Sequence, residues 1–193
     1  MNACTLEEAL ARANTTGTML EEHELCFLYA LAAMAPRGPA VELGVYKGGS
    51  LSVWCGARSN GDPVYGVDSW DPPKWSQFEQ EYYDQIKRNN LEVVTLKMVS
   101  WEAPEIIADQ VAFCFIDSAH DDTGFPADIA AWTPCIMPGG VIVFHDYGSW
   151  KPTIVVKQYV DAWQKEAMWF SLGMVGSAAA FMRPRGRRIG GTR

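Results

Sequence analysis

The chain has 193 residues, 48% of them hydrophobic and 12% aromatic, so it is long enough to bury a core and does not have the composition of a disordered protein. Its formal net charge of -7 argues against broad binding to nucleic acid, because phosphates attract basic surfaces. No apolar run approaches the roughly 20 residues that span a bilayer, and the acidic N-terminus does not resemble a signal peptide. We therefore expect a soluble, cytoplasmic protein whose scattered cysteines are small core residues.

Two helices are predicted at the N-terminus. Each follows a capping box, a threonine and a glutamate three residues apart, and the two boxes are Thr5 with Glu8 and Thr18 with Glu21. The second helix is expected near residues 19–35. We assign residues 1–36 to an N-terminal helical cap, which we expect to cover the active site or to form a dimer surface.

Short apolar runs alternate with helix-like segments after Pro36. The runs that we predict as strands are AVELGV, PVYGVD, LEVVTLKMV, VAFCFID and GGVIVFHD. The segments between them that we predict as helices are SLSVWCGARS, KWSQFEQEYYDQIKRN, WEAPEIIADQ and GFPADIAAWTPCIM. This alternation is typical of a parallel sheet with helices on both faces, which is a doubly wound α/β fold.

The C-terminal part adds a helix in KPTIVVKQYVDAWQKEA and two closely spaced apolar strands, MWFSLGMVG and SAAAFMRP. The predicted fold is a Rossmann-like, mostly parallel seven-stranded sheet that ends in an antiparallel strand pair. We place this domain at residues 37–183. Residues 184–193 are predicted to be a flexible basic tail, because five arginines follow from Arg183 onward. Such an arm could contact RNA, although a solvated end is the simpler interpretation.

The loop after the first strand is rich in glycine. In open α/β sheets ligands bind beyond the carboxyl ends of the strands, so Glu42, Gly44, Gly48 and Ser50 are candidates for binding a ligand. Glycines let the backbone approach a ligand closely at a helix N-terminus, where anionic groups are favoured. The spacing matches neither GxGxxG nor GxxxxGK[ST], and a tight connection without a ligand is the alternative.

Acidic residues end the second, fourth and fifth strands. Asp68 is well placed to accept both hydroxyls of a ribose, with a turn former as the alternative. Asp117 and Asp146 end adjacent strands, whose tips lie roughly 5 Å apart, so their carboxylates can converge on a hard cation such as Mg²⁺. His145 supplies a third possible ligand, and a histidine there could favour another metal.

Four segments, in chain order, resemble the class I S-adenosylmethionine-dependent methyltransferases. They are VELGVYKGGS, VYGVDSW, FIDSAHDD and MPGGVIVFHDYG. Within that superfamily the chain looks most like the metal-dependent small-molecule O-methyltransferases, which include the macrolide-sugar, novobiocin-type and catechol enzymes. The resemblance covers roughly residues 38–182.

The resemblance implies S-adenosylmethionine as cofactor. In such enzymes Glu42 and Gly44 would face the amino acid part of the cofactor and Asp68 its ribose. Adenine would lie against Ser100 and Trp101, although a packing role for Trp101 stays open.

The resemblance also implies a divalent cation, Mg²⁺ by preference, at Asp117 and Asp146. His145 is a departure, because these relatives usually carry an acid there. His120 matches the position of the general base, and an imidazole with a pKa of about 6.5 can take a proton from a hydroxyl at neutral pH. A loop histidine that caps the following helix is the alternative.

Several neighbouring residues are assigned lesser roles. We interpret Asp121 and Asp122 as acids that start a helix, with Asp122 as its N-cap. Tyr147 and Trp150 follow the fifth strand and are predicted to contact the substrate. Trp70 could also wall the adenine.

These interpretations predict an S-adenosylmethionine-dependent O-methyltransferase that acts on a hydroxyl of a small molecule, a sugar or a phenol, with help from a divalent cation. A nicotinamide-dependent oxidoreductase and a non-catalytic cofactor-binding module are the alternatives. An RNA methyltransferase that uses the arginine-rich tail is a further one. The sequence leaves open whether the chain forms a homo-oligomer.

Overall fold

A central sheet of seven strands runs through the described part of the computed structural model, which comprises residues 4–13, 17–58, 61–71, 73–107, 110–148 and 154–186. The strands are β1 (Ala40–Leu43), β2 (Val64–Asp68), β3 (Val94–Lys97), β4 (Val111–Ile116), β5 (Ile136–Phe144), β6 (Phe170–Val175) and β7 (Ala178–Met182). Their order is β3-β2-β1-β4-β5-β7-β6, and only β7 pairs antiparallel with its neighbours. The predicted fold, a mostly parallel sheet with an antiparallel C-terminal pair, is confirmed.

Helices cover both faces of this sheet. They are α1 (Leu6–Ala13), α2 (Glu22–Met34), α3 (Gly49–Trp54), α4 (Glu79–Arg88), α5 (Gly124–Trp132) and α6 (Ile154–Ala167). Among the described helices, none combines the length and the apolar character that crossing a membrane requires.

The first predicted capping box is confirmed and the second is wrong. The Glu8 N–H donates to Thr5 Oγ1 over 3.3 Å, and the Thr5 N–H donates to the Glu8 carboxylate over 2.8 Å. At α2 the box joins Glu21 and Glu24 instead. Thr18 does not cap the helix because its hydroxyl accepts the N–H of Leu20 in a turn before the helix begins.

The helix predicted within WEAPEIIADQ is also wrong. Ser100–Glu105 forms a short 3₁₀ helix there, with Pro104 inside it. Proline has no N–H to donate, and its ring disfavours the preceding turn of an α-helix. Residues 108–109 lie outside the described part of the chain.

Alternate residues of the strands build two hydrophobic cores. Phe113 and Phe115 of β4 pack on the side that carries α1 to α4, while Cys114 and Ile116 pack on the side that carries α5 and α6. Because β4 is buried on both sides, it reads in the sequence as an unbroken apolar run. The buried side chains of α1 and α2 belong to the first core and pack against α3.

The carboxyl ends of the parallel strands meet at one edge of the sheet. The ladder continues one residue beyond each strand, because the Gly44 N–H donates to the Val67 carbonyl over 2.8 Å and the Asp117 N–H donates to the Leu43 carbonyl over 2.9 Å. The residues that follow β1, β2, β4 and β5 therefore lie side by side.

Candidate active site at the carboxyl ends of the strands

The loop between β1 and α3 needs glycine for two reasons. Gly44 has a φ of +81°, and a Cβ atom there would lie 2.1 Å from the carbonyl oxygen of Asp117. Gly48 has a φ of +80° and is the N-cap of α3. The loop therefore passes directly over the end of β4, and any side chain at Gly44 would push the two segments apart.

The Glu42 carboxyl lies buried beneath this loop. It is fully buried, accepts the Ser50 hydroxyl over 2.6 Å, and also accepts the indole N–H of Trp54. Burial raises the pKa of Glu42 to about 8 even though these two hydrogen bonds oppose the rise. The expected contacts of Glu42 and Ser50 with a cofactor therefore do not match the direction of their side chains.

Asp68 lies at the carboxyl end of β2 and holds two turns together. Its carboxylate accepts the N–H of Tyr46 over 2.9 Å and the N–H of Trp70 over 2.8 Å. Burial raises the pKa of this carboxyl. Trp70 is buried and donates its indole N–H to the Tyr46 carbonyl, so it is a core residue and cannot wall an adenine as expected.

The residues expected to contact adenine lie against α5. Ser100 is buried, and its carbonyl accepts the indole N–H of Trp132 over 3.0 Å. Trp101 is only half-buried and lies beside Gly124, where a Cβ atom would come within 3.1 Å of its ring. Trp101 therefore packs on the start of α5 and keeps part of its surface open.

A buried carboxyl behind these residues was not predicted. Asp128 of α5 accepts the Ser118 hydroxyl and is fully buried. Burial raises the pKa of Asp128 to about 6, while hydrogen bonds from Ser100 and Ser118 oppose the rise. This network ties the loop after β4 to α5.

Asp117, His120 and Asp146 converge at the tips of β4 and β5. One possible ligand atom from each residue lies within 4.8 Å of the others. His120 Nε2 is 3.2 Å from Asp146 Oδ2 and 3.6 Å from Asp117 Oδ1, yet this buried nitrogen makes no hydrogen bond to any described residue. Asp146 has a φ of +56°, a conformation that costs a residue other than glycine about 1 kcal/mol or more. Two carboxylates and an imidazole thus face one another with unused binding capacity.

His145 lies behind this cluster and not in it. Its Nδ1 is 3.1 Å from Asp117 Oδ1, and its Nε2 is 3.1 Å from the Ser177 hydroxyl. Since the Ser177 hydroxyl donates its only proton to Glu24, Nε2 must donate to Ser177, and Nδ1 must donate to the carboxylate. Both ring nitrogens then carry protons, so the predicted role of His145 as a metal ligand lacks a free lone pair.

The carboxylates and histidines of this region each favour the charged form of the other. Burial alone would lower the pKa of His145, but Asp117 and two further carboxylates raise it well above its ordinary value. Burial opposes ionisation of Asp117, yet His145 and His120 hold its pKa well below the usual range. Asp117 and Asp146 raise the pKa of His120 against the effects of burial and of His145.

The N-cap of α5 is Thr123, so the prediction of Asp122 as N-cap is wrong, and the acid that binds the N–H groups at this helix start is Asp121. Asp121 Oδ1 accepts the N–H of Thr123 over 2.8 Å and that of Gly124 over 2.7 Å. A short acidic side chain reaches the N–H groups two and three residues ahead, which selects Asp121. Asp122 is exposed beside it.

Of the two residues after β5 that were predicted to contact the substrate, the structure describes Tyr147 but not Trp150. Tyr147 donates its hydroxyl to Asp161 of α6 over 2.5 Å, and Lys157 donates to the same hydroxyl over 3.3 Å. The Tyr147 hydroxyl is therefore bound to α6. Trp150 lies outside the described residues, as do residues 187–193 of the predicted tail.

Two residues that contact the site were missed in the sequence. Glu24 of α2 and Ser177 of the β6–β7 turn reach His145, although 153 residues separate them. The one signal in the sequence was an acid at position 24 within an apolar helical pattern. Glu24 is buried, and a buried carboxylate requires hydrogen-bond partners elsewhere in the fold.

Known proteins resemble this chain in both sequence and fold. A family model described as a methyltransferase domain matches residues 41–147. The uncharacterized protein y4gI of Sinorhizobium fredii is 30% identical over 128 residues, which cover 62% of this chain. The match covers 14% of that relative, so the chain spans about one seventh of its length.

Solved structures with the same fold include three methyltransferases. An O-methyltransferase of Bacillus cereus in complex with SAH has a TM-score of 0.66 at 21% identity, over 92% of this chain and 90% of that one. The SAH-bound methyltransferase PaMTH1 of Podospora anserina has a TM-score of 0.71 at 13% identity, over 92% and 86%. TomG of Streptomyces achromogenes, an O-methyltransferase of tomaymycin synthesis in complex with SAM, has a TM-score of 0.67 at 13% identity, over 94% and 89%.

Proposed function

Because the chain belongs to the methyltransferase family, whose model matches more than half of it, we propose that it transfers a methyl group from S-adenosylmethionine to a hydroxyl of a small molecule, a sugar or a phenol. The observation that carries the choice of a hydroxyl is the convergence of Asp117, His120 and Asp146 beside the glycine loop. The SAM and SAH complexes of three structures with this fold support the cofactor.

The ends of β1 and β2 suit the cofactor. Gly44 and Gly48, both with positive φ, turn the backbone at the tip of β1, where the amino acid part of the cofactor would lie. Each oxygen of Asp68 accepts one N–H and keeps lone pairs, so the carboxylate can also accept the two hydroxyls of a ribose. The half-buried ring of Trp101 offers a face for adenine.

The residues after β4 and β5 fit a divalent cation. Carboxylate oxygens are the ligands that Mg²⁺ prefers, and Asp117 and Asp146 would hold the ion. When bound, a divalent cation supplies positive charge that lowers the pKa of an acceptor hydroxyl and helps to orient it. His145 Nδ1 lies 3.1 Å from Asp117 and 3.7 Å from Asp146, so it balances part of the charge of both carboxylates.

His120 is proposed as the general base. Its Nε2 has no hydrogen bond to a described residue, and in the neutral tautomer that carries its proton on Nδ1 this nitrogen has a lone pair for a proton. When bound, S-adenosylmethionine would supply its sulfonium methyl group to the acceptor oxygen with loss of the carbon–sulfur bond, and His120 Nε2 would take the hydroxyl proton. The products are a methyl ether and S-adenosylhomocysteine.

Binding and turnover together test this function. Calorimetry with S-adenosylhomocysteine and with NAD separates a methyltransferase from the nicotinamide alternative, and we expect heat of binding only with the former. A panel of sugars and phenols incubated with methyl-labelled S-adenosylmethionine should yield a labelled product whose formation falls in EDTA. Binding of NAD without binding of S-adenosylhomocysteine would contradict the proposal, and turnover unchanged by EDTA would remove the cation from it.

A further inference from the structure

Glu24 is a buried carboxylate surrounded by hydrogen-bond donors. Its Oε1 accepts the N–H of Ser177 over 2.7 Å and the Ser177 hydroxyl over 2.9 Å. Its Oε2 accepts the N–H of Glu21 over 3.0 Å and lies 3.5 Å from His145 Nε2. Four donors from three segments of the chain thus converge on one side chain of α2.

The turn between β6 and β7 is shaped around this carboxylate. Gly176 has a φ of +58°, and a Cβ atom there would lie 2.4 Å from Glu24 Oε1. The carbonyl of Ser177 also accepts the N–H of Tyr147, next to Asp146. Glu24 therefore fixes the β6–β7 turn, and the Ser177 carbonyl of that turn binds the segment after β5.

The contacts continue from Glu24 to the proposed cation site. Ser177 and Glu24 hold Nε2 of His145, and Asp117 holds Nδ1 of the same ring over 3.1 Å. His145 is buried, so its orientation depends on these partners. Residues behind a metal ligand orient it in this way in many metal sites.

We propose that Glu24 is a positioning residue, which fixes the ring of His145 and thereby the carboxylate of Asp117 for ligand binding. The part that concerns a cation rests on the proposed function. The part that concerns His145 rests on the contacts alone. A helix of the N-terminal segment thus contributes to the site through its contacts with Ser177 and His145.

A role in capping α2 is the competing explanation for Glu24. Capping uses only the hydrogen bond from the Glu21 N–H, whereas positioning uses the contacts with Ser177 and His145. A glutamine at position 24 has one acceptor oxygen and an amide that donates, so it cannot accept from both sides. Glu21→Ala is the matched control, because it removes the other half of the capping box and the same charge.

The first measurement records the ring nitrogens of His145 by NMR of metal-free protein labelled with ¹⁵N-histidine, with His145→Asn to assign the signals. We expect both ring N–H protons in the wild type. Glu24→Gln and Ser177→Ala should shift the Nε2 proton and speed its exchange, while Glu21→Ala should leave it in place. Ser177→Ala keeps the cap intact and stands in if Glu24→Gln does not fold. Unchanged signals in both test variants would overturn the proposal.

The second measurement is the affinity of each variant for Mn²⁺ alone, followed by electron paramagnetic resonance. We expect Glu24→Gln to weaken binding about tenfold, the size typical of residues behind a metal ligand, and Glu21→Ala to bind as the wild type does. Equal weakening in both variants would assign Glu24 to capping and overturn the proposal. If the wild type binds no Mn²⁺, the proposed cation fails, and the NMR signals alone decide the role of Glu24.

Discussion

Two groups of acids lie at the same edge of the sheet and have opposite surroundings. The first group is Glu42 and Asp68, at the ends of β1 and β2. Glu42 accepts hydrogen bonds from Ser50 and Trp54, and its burial favours the neutral carboxyl. Asp68 accepts the N–H groups of Tyr46 and Trp70. At the tips of β4 and β5, Asp117 and Asp146 face a histidine whose Nε2 makes no hydrogen bond to a described residue. An acid saturated by the protein stabilises a loop, whereas acids left facing one another can bind a ligand.

The largest effect is expected at the second group. Asp117→Asn and Asp146→Asn should each lower methyl transfer about 10³-fold, since stabilisation by a cation contributes several kcal/mol. Initial rates with labelled S-adenosylmethionine measure this. Asp122→Asn is the control, because Asp122 is exposed outside the cluster and its variant should keep wild-type rates. If both variants lost less than tenfold in methyl-transfer rate, Asp117 and Asp146 would not differ in function from the first group.

The first group should affect stability through pH. The pKa of Glu42 is about 8 in the folded chain and near 4.5 when unfolded, so the neutral carboxyl stabilises the fold at low pH and this contribution is lost as pH rises toward 8. Between pH 5.5 and 8 the wild type should lose about 3 kcal/mol more than Glu42→Gln does, at about 1.4 kcal/mol per unit. Urea unfolding at several pH values measures the difference. Parallel pH profiles would show that Glu42 is ionised in the fold.

His120 should affect the rate and leave cofactor binding unchanged. His120→Ala should lower kcat about 100-fold, the lower end of what a general base contributes. Its affinity for S-adenosylhomocysteine by calorimetry should stay within twofold of the wild type, because His120 lies beside the acids of β4 and β5 and not beside Asp68. Full activity in this variant would exclude His120 as the general base.

The smallest expected effect is a difference in the free energy of unfolding between variants of the adjacent acids Asp121 and Asp122. Asp121→Ala should lower the free energy of unfolding by about 1 kcal/mol, since Asp121 accepts two backbone N–H groups at the start of α5. Asp122→Ala should change it by less than about 0.5 kcal/mol. Thermal unfolding of both variants measures the difference, and the reverse order would contradict this role of Asp121.

The fold was predictable because its strands are short apolar runs separated by helical patterns. Asp117, His120 and Asp146 were also predictable as neighbours, since parallel strands end at one edge. The direction of Glu42 was not, because both sides of β1 are buried and the alternation of side chains does not tell a buried acid from one at a crevice. Glu24 and Ser177 were missed because only the tertiary structure joins residues 153 positions apart.

The difference between the two groups of acids is tested most directly by anomalous diffraction from crystals grown with S-adenosylhomocysteine and Mn²⁺. We expect a manganese peak within about 2.3 Å of carboxylate oxygens of both Asp117 and Asp146, and none at Glu42 or Asp68. Absence of a peak at saturating Mn²⁺, or a peak at the first group instead, would contradict the assignment of Asp117 and Asp146 as the ligands of a divalent cation.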